Sequence, residues 1–358
     1  MAIDVTPLSP EPTIAAAERH SMGVTLGRLV RRPESGALIG TLSVYIFFTI
    51  FGGGLFNSAA ATASWLNVAS ELGIIALPVG LLMIAGELDL SVGSVLAASS
   101  ITLAIVSGWW NMPIALGIAL ALLVGVVTGF LNGLIVTRTK VPSFVVTLAT
   151  NFGLAGLTLG LARVITGSVS VSVHPDPTSK DIFGTLIDGQ WEVAAFWWLA
   201  VILVIGWVLH VTRYGNWIFA VGGDRESAVL TGVPVSKVKI GLFMASGLGA
   251  ALVGVIETVL YNGAQVANGQ SFVFNSIIAV VIGGVLLTGG YGSVVGVVLG
   301  TLTFAIVNQG IYYTSWNSDW ASLILGLLLL GAVLMNNTFR QLALSYGTRI
   351  KKIKKKET

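Results

Sequence analysis

Pro78 to Ser100 reads PVGLLMIAGELDLSVGSVLAASS, and the whole chain is organised around it. Glu87 and Asp89 interrupt otherwise lipid-grade sequence, where an ionised carboxylate is costly unless it meets water, a partner or a helix N-terminus. Asp89 or Ser91 can cap a helix continuing from Val92, because a short side-chain oxygen accepts from the free N–H groups of a first turn. Gly86, Gly93 and Ser94 keep the turn thin, so a second backbone can approach it closely. Two readings follow: a capped turn between two spanning helices, or a group that takes part directly in solute passage.

Outward from this stretch, composition sets the class. The 358 residues are 54% hydrophobic and only 10% charged, with 44 glycines and a mean hydropathy of +0.88, so the chain reads as a polytopic membrane protein. With no cysteine there is no disulfide or thiolate metal site, and three scattered histidines offer no metal cluster.

Apolar runs of about 20 residues can cross a bilayer as helices. Ten are expected, at 36–56, 68–86, 91–108, 112–137, 144–166, 193–211, 238–262, 275–288, 292–313 and 320–336; the eighth is short and glycine-ended. The fold expected is therefore all-α, with a polar amino-terminal arm (1–35), a transmembrane domain (36–336) and a basic tail (337–358). The arm shows no removable signal peptide. Lys and Arg favour the cytoplasmic side. With both termini inside, every one of the 19 basic residues except Arg163 and Lys180 falls on that side.

The outer side carries a long acidic connection, 167–192, with a stiff His174-Pro175-Asp176-Pro177 turn. Trp65, Trp109, Trp110, Trp191, Trp197, Trp198, Trp316 and Trp320 lie near it, as an interfacial belt or, for one or two of them, as a stacking surface for a sugar. Laying Asp89-Leu-Ser-Val-Gly-Ser over Asn275-Ser-Ile-Ile-Ala-Val, and Asn132-Gly133 over Asn308-Gln309-Gly310, gives a five-plus-five inverted repeat; the rival reading is chance likeness among glycine-rich strings.

The connection 212–237 is the other specific stretch. Gly222-Gly223 breaks the chain, Asp224 can cap, and Arg225 to Thr231 forms a short helix that Gly232 stops. Such a helix offers a small rigid surface to a soluble partner, against the alternative of an ordinary surface loop.

These residues carry a resemblance. GELDLSVGS resembles the G-G/S-I-D-L-S-V-G-S signature of the permease subunits of ribose-type ABC sugar importers, with Glu87 where that family commonly has a small or apolar residue. Ala220 to Val233, AVGGDRESAVLTGV, is similar to the family's A-x-G-G-N-x-x-A-A-x-x-x-G-I motif, with Asp224 for Asn and Ser227 for the first alanine. Ile278 to Gly296 is similar to its A-V-V-I-G-G block, and Asn132-Gly133 matches its N-G motif. The resemblance implies that Gly222, Gly223, Asp224, Arg225, Ala228, Gly232 and Val233 dock in a cleft of an ATP-binding subunit. It also implies a second permease subunit, two ATP-binding subunits holding ATP and Mg, and a periplasmic sugar-binding protein, in a bacterial inner membrane. This chain would then bind no cofactor, catalyse no reaction and meet no nucleic acid. Nucleosides or branched-chain amino acids are alternative solutes within that family. A self-energised secondary transporter is a more distant alternative, since it would show more buried ion-coupling carboxylates.

No G-x-x-x-x-G-K-[ST] phosphate loop occurs, so this chain is not the ATPase by that mechanism. Glycine ladders Gly125/Gly129/Gly133 and Gly292/Gly296/Gly300 suit close helix packing. Glu257 sits inside the seventh run, either paired with Arg163 or lining a pathway. Candidate pathway residues are Glu87, Asp89, Ser91, Asn132, Glu257, Gln265, Phe272, Asn275, Asn308 and Gln309, with Asn268 and Gln270 beside them. Neutral sugars ask for such hydrogen-bonding groups and aromatic faces.

Overall fold

The computed structural model describes residues 33–314, 316–320, 322–324, 326–327 and 330–331. The expected arm to residue 32, most of the tenth run and the basic tail lie outside the described residues. Among the described residues, eight helices rather than ten are long and apolar enough to cross a membrane.

Along the chain these are α1 (Pro33–Phe51), α2 (Ala59–Ile84), α3 (Val92–Leu103, prolonged as a π-helix over Ala104–Trp109), α4 (Ile114–Arg138) and α5 (Ser143–Thr166). After strand β1 (Ser170–Ser172) and a hairpin of β2 (Leu186–Ile187) and β3 (Trp191–Glu192) comes α6 (Ala194–Val211). Two short helices, α7 (Arg213–Gly223) and α8 (Arg225–Leu230), lead into α9 (Val235–Leu260). Strand β4 (Gly263–Gln265), α10 (Gln270–Ile282) and α11 (Val294–Gly310) follow. The eighth expected run is therefore a 13-residue helix that starts earlier, at Gln270, and is too short to cross alone.

The second helix begins at Ala59, well before the expected 68, because Ser58 caps it: its Oγ accepts from the Ala61 N–H at 3.2 Å. That start feeds the most enclosed helix of the bundle. α2, α3, α9 and α11 form the core, whereas α1, α4, α5 and α6 surround it and present apolar side chains such as Phe152, Val164 and Leu203 outward. An apolar outer surface of this kind is what a lipid bilayer solvates.

Both glycine ladders pack backbone on backbone except at Gly292, which meets the Ile84 and Val285 side chains. On α4, a Cβ at Gly125 or Gly129 would overlap the Gly247 or Phe243 carbonyl of α9. Gly300 on α11 is equally close to Ala279 and Gly283 at the end of α10.

The organising stretch does not simply turn at the membrane surface. From Gly86 the chain runs extended along the first turns of α5, so α3 begins within the bundle beside Asn151. α10 also begins within it: Gly269, with φ of +95°, meets Gly93 backbone to backbone, and a Cβ on Gly93 would lie 2.6 Å from the Gly269 carbonyl. Two interrupted helices thus start against one another, the arrangement an inverted repeat generates. The alignment expected from sequence is offset, however. Asn275 lies in the second turn of α10, so matching helix starts pairs Val92 with Gln270 rather than Asp89 with Asn275.

Candidate functional site: a polar seam and a protruding helix

Asp89 is 1% exposed and its carboxylate is fully engaged. Oδ1 accepts from the Ser91 N–H at 2.9 Å and from Ser91 Oγ at 2.6 Å; Oδ2 accepts from Ser246 Oγ of α9 at 2.7 Å. Asn132 on α4 donates from Nδ2 to Ser91 Oγ at 2.9 Å, and its Oδ1 accepts from Thr150 Oγ1 of α5 at 2.6 Å. One hydrogen-bonded chain therefore joins α5, α4, the Asp89 turn and α9, and each bond polarises the next in this low-dielectric interior.

The extended residues before α3 are held by α5 in register. Leu88 N–H donates to Ser143 Oγ at 3.1 Å, Leu90 N–H to Thr147 Oγ1 at 3.0 Å, and Ser94 N–H to Asn151 Oδ1 at 3.3 Å. The cap on α3 expected from Asp89 or Ser91 is supplied instead by Asn151, because the Ser91 hydroxyl is turned back to Asp89. Glu87 forms an ion pair with Lys239 of α9, both side chains nearly enclosed. Loss of one partner from a buried pair leaves an uncompensated charge, at a cost of about 3–5 kcal/mol.

The protruding element is α8. Asp224 Oδ1 accepts from the Glu226 and Ser227 N–H groups at 2.9 and 3.2 Å, and Oδ2 from Ser227 Oγ at 2.9 Å. The Ser227 bonds hold its carboxyl below the usual range, so the cap stays ionised. Ala228 is buried, while Val229 and Leu230 are 56% and 87% exposed. Gly232, with φ of +83°, ends the helix, and Val233 N–H donates back to Ala228 O at 3.0 Å. Gly222 closes α7 against the Ile84–Gly86 turn, Gly223 beside it is approached by Gly290, and Arg225 is exposed on α8.

At the opposite end of α9, Glu257 has no ion pair with Arg163; the one salt bridge among the described residues is Glu87–Lys239. Glu257 lies instead within electrostatic range of Glu71 of α2 and Glu192 of β3. Asn67, one turn before Glu71, fixes the hairpin by donating to Gln190 O at 2.8 Å and accepting from Glu192 N–H at 3.1 Å. Glu71 Oε1 and Glu192 Oε2 are buried without a hydrogen-bond partner among the described residues. Burial pushes Glu192 up to about 7. Lys180 points the other way, donating to Val259 O, Leu260 O and Asn262 Oδ1 at the end of α9.

The remaining candidates disperse. Gln265 is exposed on β4, Phe272 packs partly into the core, and Asn275 is half-buried on α10. Gln309 binds Asn308 and accepts from Ser64 Oγ at 2.9 Å, on the seam between α2 and α11. Two of the expected belt tryptophans pack against protein. Trp198 is 6% exposed and rests on Gly73, and Trp197 stacks on Phe183 at 5.3 Å.

Sequence reasoning missed Glu71, Lys239, Ser246 and the α5 acceptors. Ser143, Thr147 and Asn151 recur every four residues, a polar stripe on one helix face. Glu71 was visible as a charge inside an apolar run.

Comparison with known proteins addresses the same elements. Residues 61–333 match the family described as "Branched-chain amino acid transport system / permease component". The chain is 33% identical over 305 residues to the ribose import permease protein of Escherichia coli (strain K12), covering 84% of this chain and 90% of that one. It is 31% identical over 326 residues to the fructose import permease protein of Rhizobium meliloti, covering 87% of each. The inner membrane ABC transporter permease protein YjfF of Escherichia coli (strain K12) is 32% identical over 306 residues, covering 81% of this chain and 88% of that one. No solved structure matches. With its interrupted helices, its capped protruding helix and these relatives along most of its length, this multi-pass membrane protein belongs to the branched-chain amino acid transport system / permease component family, among the permeases of ribose-type ABC importers.

Proposed function

We propose that this chain is the membrane-spanning subunit of an ABC importer that carries a monosaccharide into the cytoplasm, and that α8 is its contact with the ATP-binding subunit. The observation that carries the reading is α8 itself. Its cap and its buried Ala228 root it in the bundle, while Val229 and Leu230 face outward at a polar end of the chain. Apolar side chains held out on a rigid base are suited to a groove in a partner. Although the family description names branched-chain amino acids, the relatives that cover most of both chains import ribose and fructose, which favours a sugar.

In this reading α7, α8, the arm and the tail are cytoplasmic, and the hairpin side faces the periplasm and a sugar-binding protein. Two ATP-binding subunits hold ATP and Mg, and this chain makes and breaks no covalent bond. A second copy completes the pathway. The crevice between α2 and α11, lined by Leu77, Leu81 and Val297, is apolar and has a cavity volume of about 0 Å³, with no room for a water. That is below the roughly 300–1,000 Å³ of ligand pockets, so a route between copies suits a sugar better. Exposed or half-buried Gln265, Gln270 and Asn275 would contribute to its walls.

Leu230→Glu tests the reading. Co-purification of the ATP-binding subunit should fall at least tenfold, because a charge then enters an apolar contact, while the thermal midpoint of the permease alone stays unchanged. Undiminished co-purification and uptake of labelled ribose or fructose would refute it.

A further inference from the structure

We infer that α8 hangs by both ends from one turn, Ile84–Glu87, and that the Glu87–Lys239 pair is the positioning contact through which movement of α8 reaches the Asp89 seam. The inference rests on the reading of α8 as the motor contact and concerns what happens beyond it.

Consider first the end of α8 that follows α7. Gly222 lies so close to Ile84 that a Cβ would overlap the Ile84 carbonyl, and it would sit 2.7 Å from the Gly290 nitrogen. Gly290 N–H in turn donates to Ile84 O at 2.8 Å. A Cβ on Gly289 would fall 2.8 Å from Gly86 Cα and 3.0 Å from the Gly222 carbonyl. Three turns, at 84–86, 222–223 and 289–290, therefore meet backbone to backbone, with no flexible side chain between them to absorb a displacement. They are also the three stretches whose glycines stand out in the sequence.

At its other end, α8 passes into α9 without slack. Val233 N–H returns to Ala228 O at 3.0 Å, Val235 N–H bonds Val233 O at 2.9 Å, and Pro234 fixes the backbone between them. One turn into α9, Lys239 reaches back to Glu87, the next residue along the same turn. Glu87 leads directly into Leu88 and Leu90, whose amides are pinned to Ser143 and Thr147, and Asp89 lies between them. A push on α8 thus arrives at residues 84–87 by a rigid backbone contact and by a buried ion pair, and from there at the start of α3. Coupling of this kind needs an element with two arrangements, and the extended segment 85–91 is the only non-helical link between the two most enclosed helices.

The test uses the reconstituted importer in proteoliposomes: this chain, its ATP-binding subunit and its binding protein, with labelled ribose or fructose as solute. The double variant Glu87→Leu with Lys239→Met removes both charges and leaves neither orphaned, so folding is preserved. It should keep the ATP-binding subunit and hydrolyse ATP within twofold of wild type, while solute taken up per ATP falls at least fivefold. The charge swap Glu87→Lys with Lys239→Glu should recover that ratio to within twofold. Because the chain has no cysteine of its own, Glu87→Cys with Lys239→Cys can be bridged selectively by a short bis-methanethiosulfonate. Recovery on bridging would show that the link acts mechanically. An unchanged ratio in the neutral double variant overturns the inference, as does a bridged pair that stays uncoupled. Undiminished retention of the ATP-binding subunit by Leu230→Glu would instead overturn the assignment of α8 itself.

Discussion

Asp89 and Glu257 are both acids enclosed by apolar helices, 1% and 8% exposed, and the fold treats them in opposite ways. Around Asp89 each oxygen has its donor, and those donors are engaged in turn, through Ser91 and Asn132 to Thr150. Glu257 has two other carboxylates for neighbours, and the trio includes buried oxygens with no hydrogen-bond partner among the described residues. A fully satisfied buried network rigidifies and specifies, whereas an unsatisfied one calls for a proton, water or a polar solute. The seam at the α8 end is thus architecture, and the trio at the hairpin end is chemistry left open.

Removing a carboxylate should therefore have opposite effects at the two places. Asp89→Ala strands the Ser246 and Ser91 hydroxyls and the Ser91 amide, and the cost should be about 3–5 kcal/mol, read as a lower thermal midpoint and loss of the folded chain in detergent. If Asp89→Ala melts like wild type, the seam is not what holds the start of α3. Next in size is Asn132→Leu, which breaks two links of the same chain and should cost about 1–3 kcal/mol. Combined with Thr150→Val it should cost less than the sum, since both act on one hydrogen bond. At the trio the sign reverses. Glu71→Gln replaces a buried carboxylate that has like charges beside it, so stability should be unchanged or rise by up to about 1 kcal/mol. A loss as large as that of Asp89→Ala would erase the contrast.

The legibility of the two regions differs for the same physical reason. The α8 end was readable because its chemistry is local: Asp224 caps three residues on, Gly232 stops the helix, and Gly222-Gly223 marks a close approach. Asp89 and Asn132 stood out as single polar residues in apolar runs, but that one hydrogen-bonded chain joins them could not be read, since it depends on how α3, α4 and α5 stack. The cap expected from Asp89 or Ser91 comes instead from Asn151, because a tertiary acceptor receives the Ser94 N–H while the Ser91 hydroxyl turns back to Asp89. The Glu257–Arg163 pairing failed similarly. Each residue sits near the end of its own helix, but the side chain facing Glu257 comes from Glu71 of α2, far away in sequence. Helix number suffered from length: α10 opens before the expected 275 but ends at Ile282, where Gly283 and Gly284 stop it short of the expected 288, and most of the tenth run lies outside the described residues.

The most accessible contrast is the pH dependence contributed by Glu192, which lies outside the spanning helices, in the hairpin that Asn67 holds. Burial raises its carboxyl from the ordinary 4.5 to about 7 in the folded chain. Between those two values the unfolded chain has released the proton and the folded chain still holds it, so the folded state binds more protons and stability falls as pH rises. Above about 7 both states are ionised, and below 4.5 both are protonated, so the dependence is confined to that window. The thermal midpoint of the full chain in nanodiscs should therefore drop as pH is raised from 5 to 7.5, and Glu192→Gln, which cannot titrate, should flatten the slope. Equal slopes in wild type and variant would mean that Glu192 is as well satisfied as Asp89, and the distinction between a closed seam and an open trio would fail at its most accessible member.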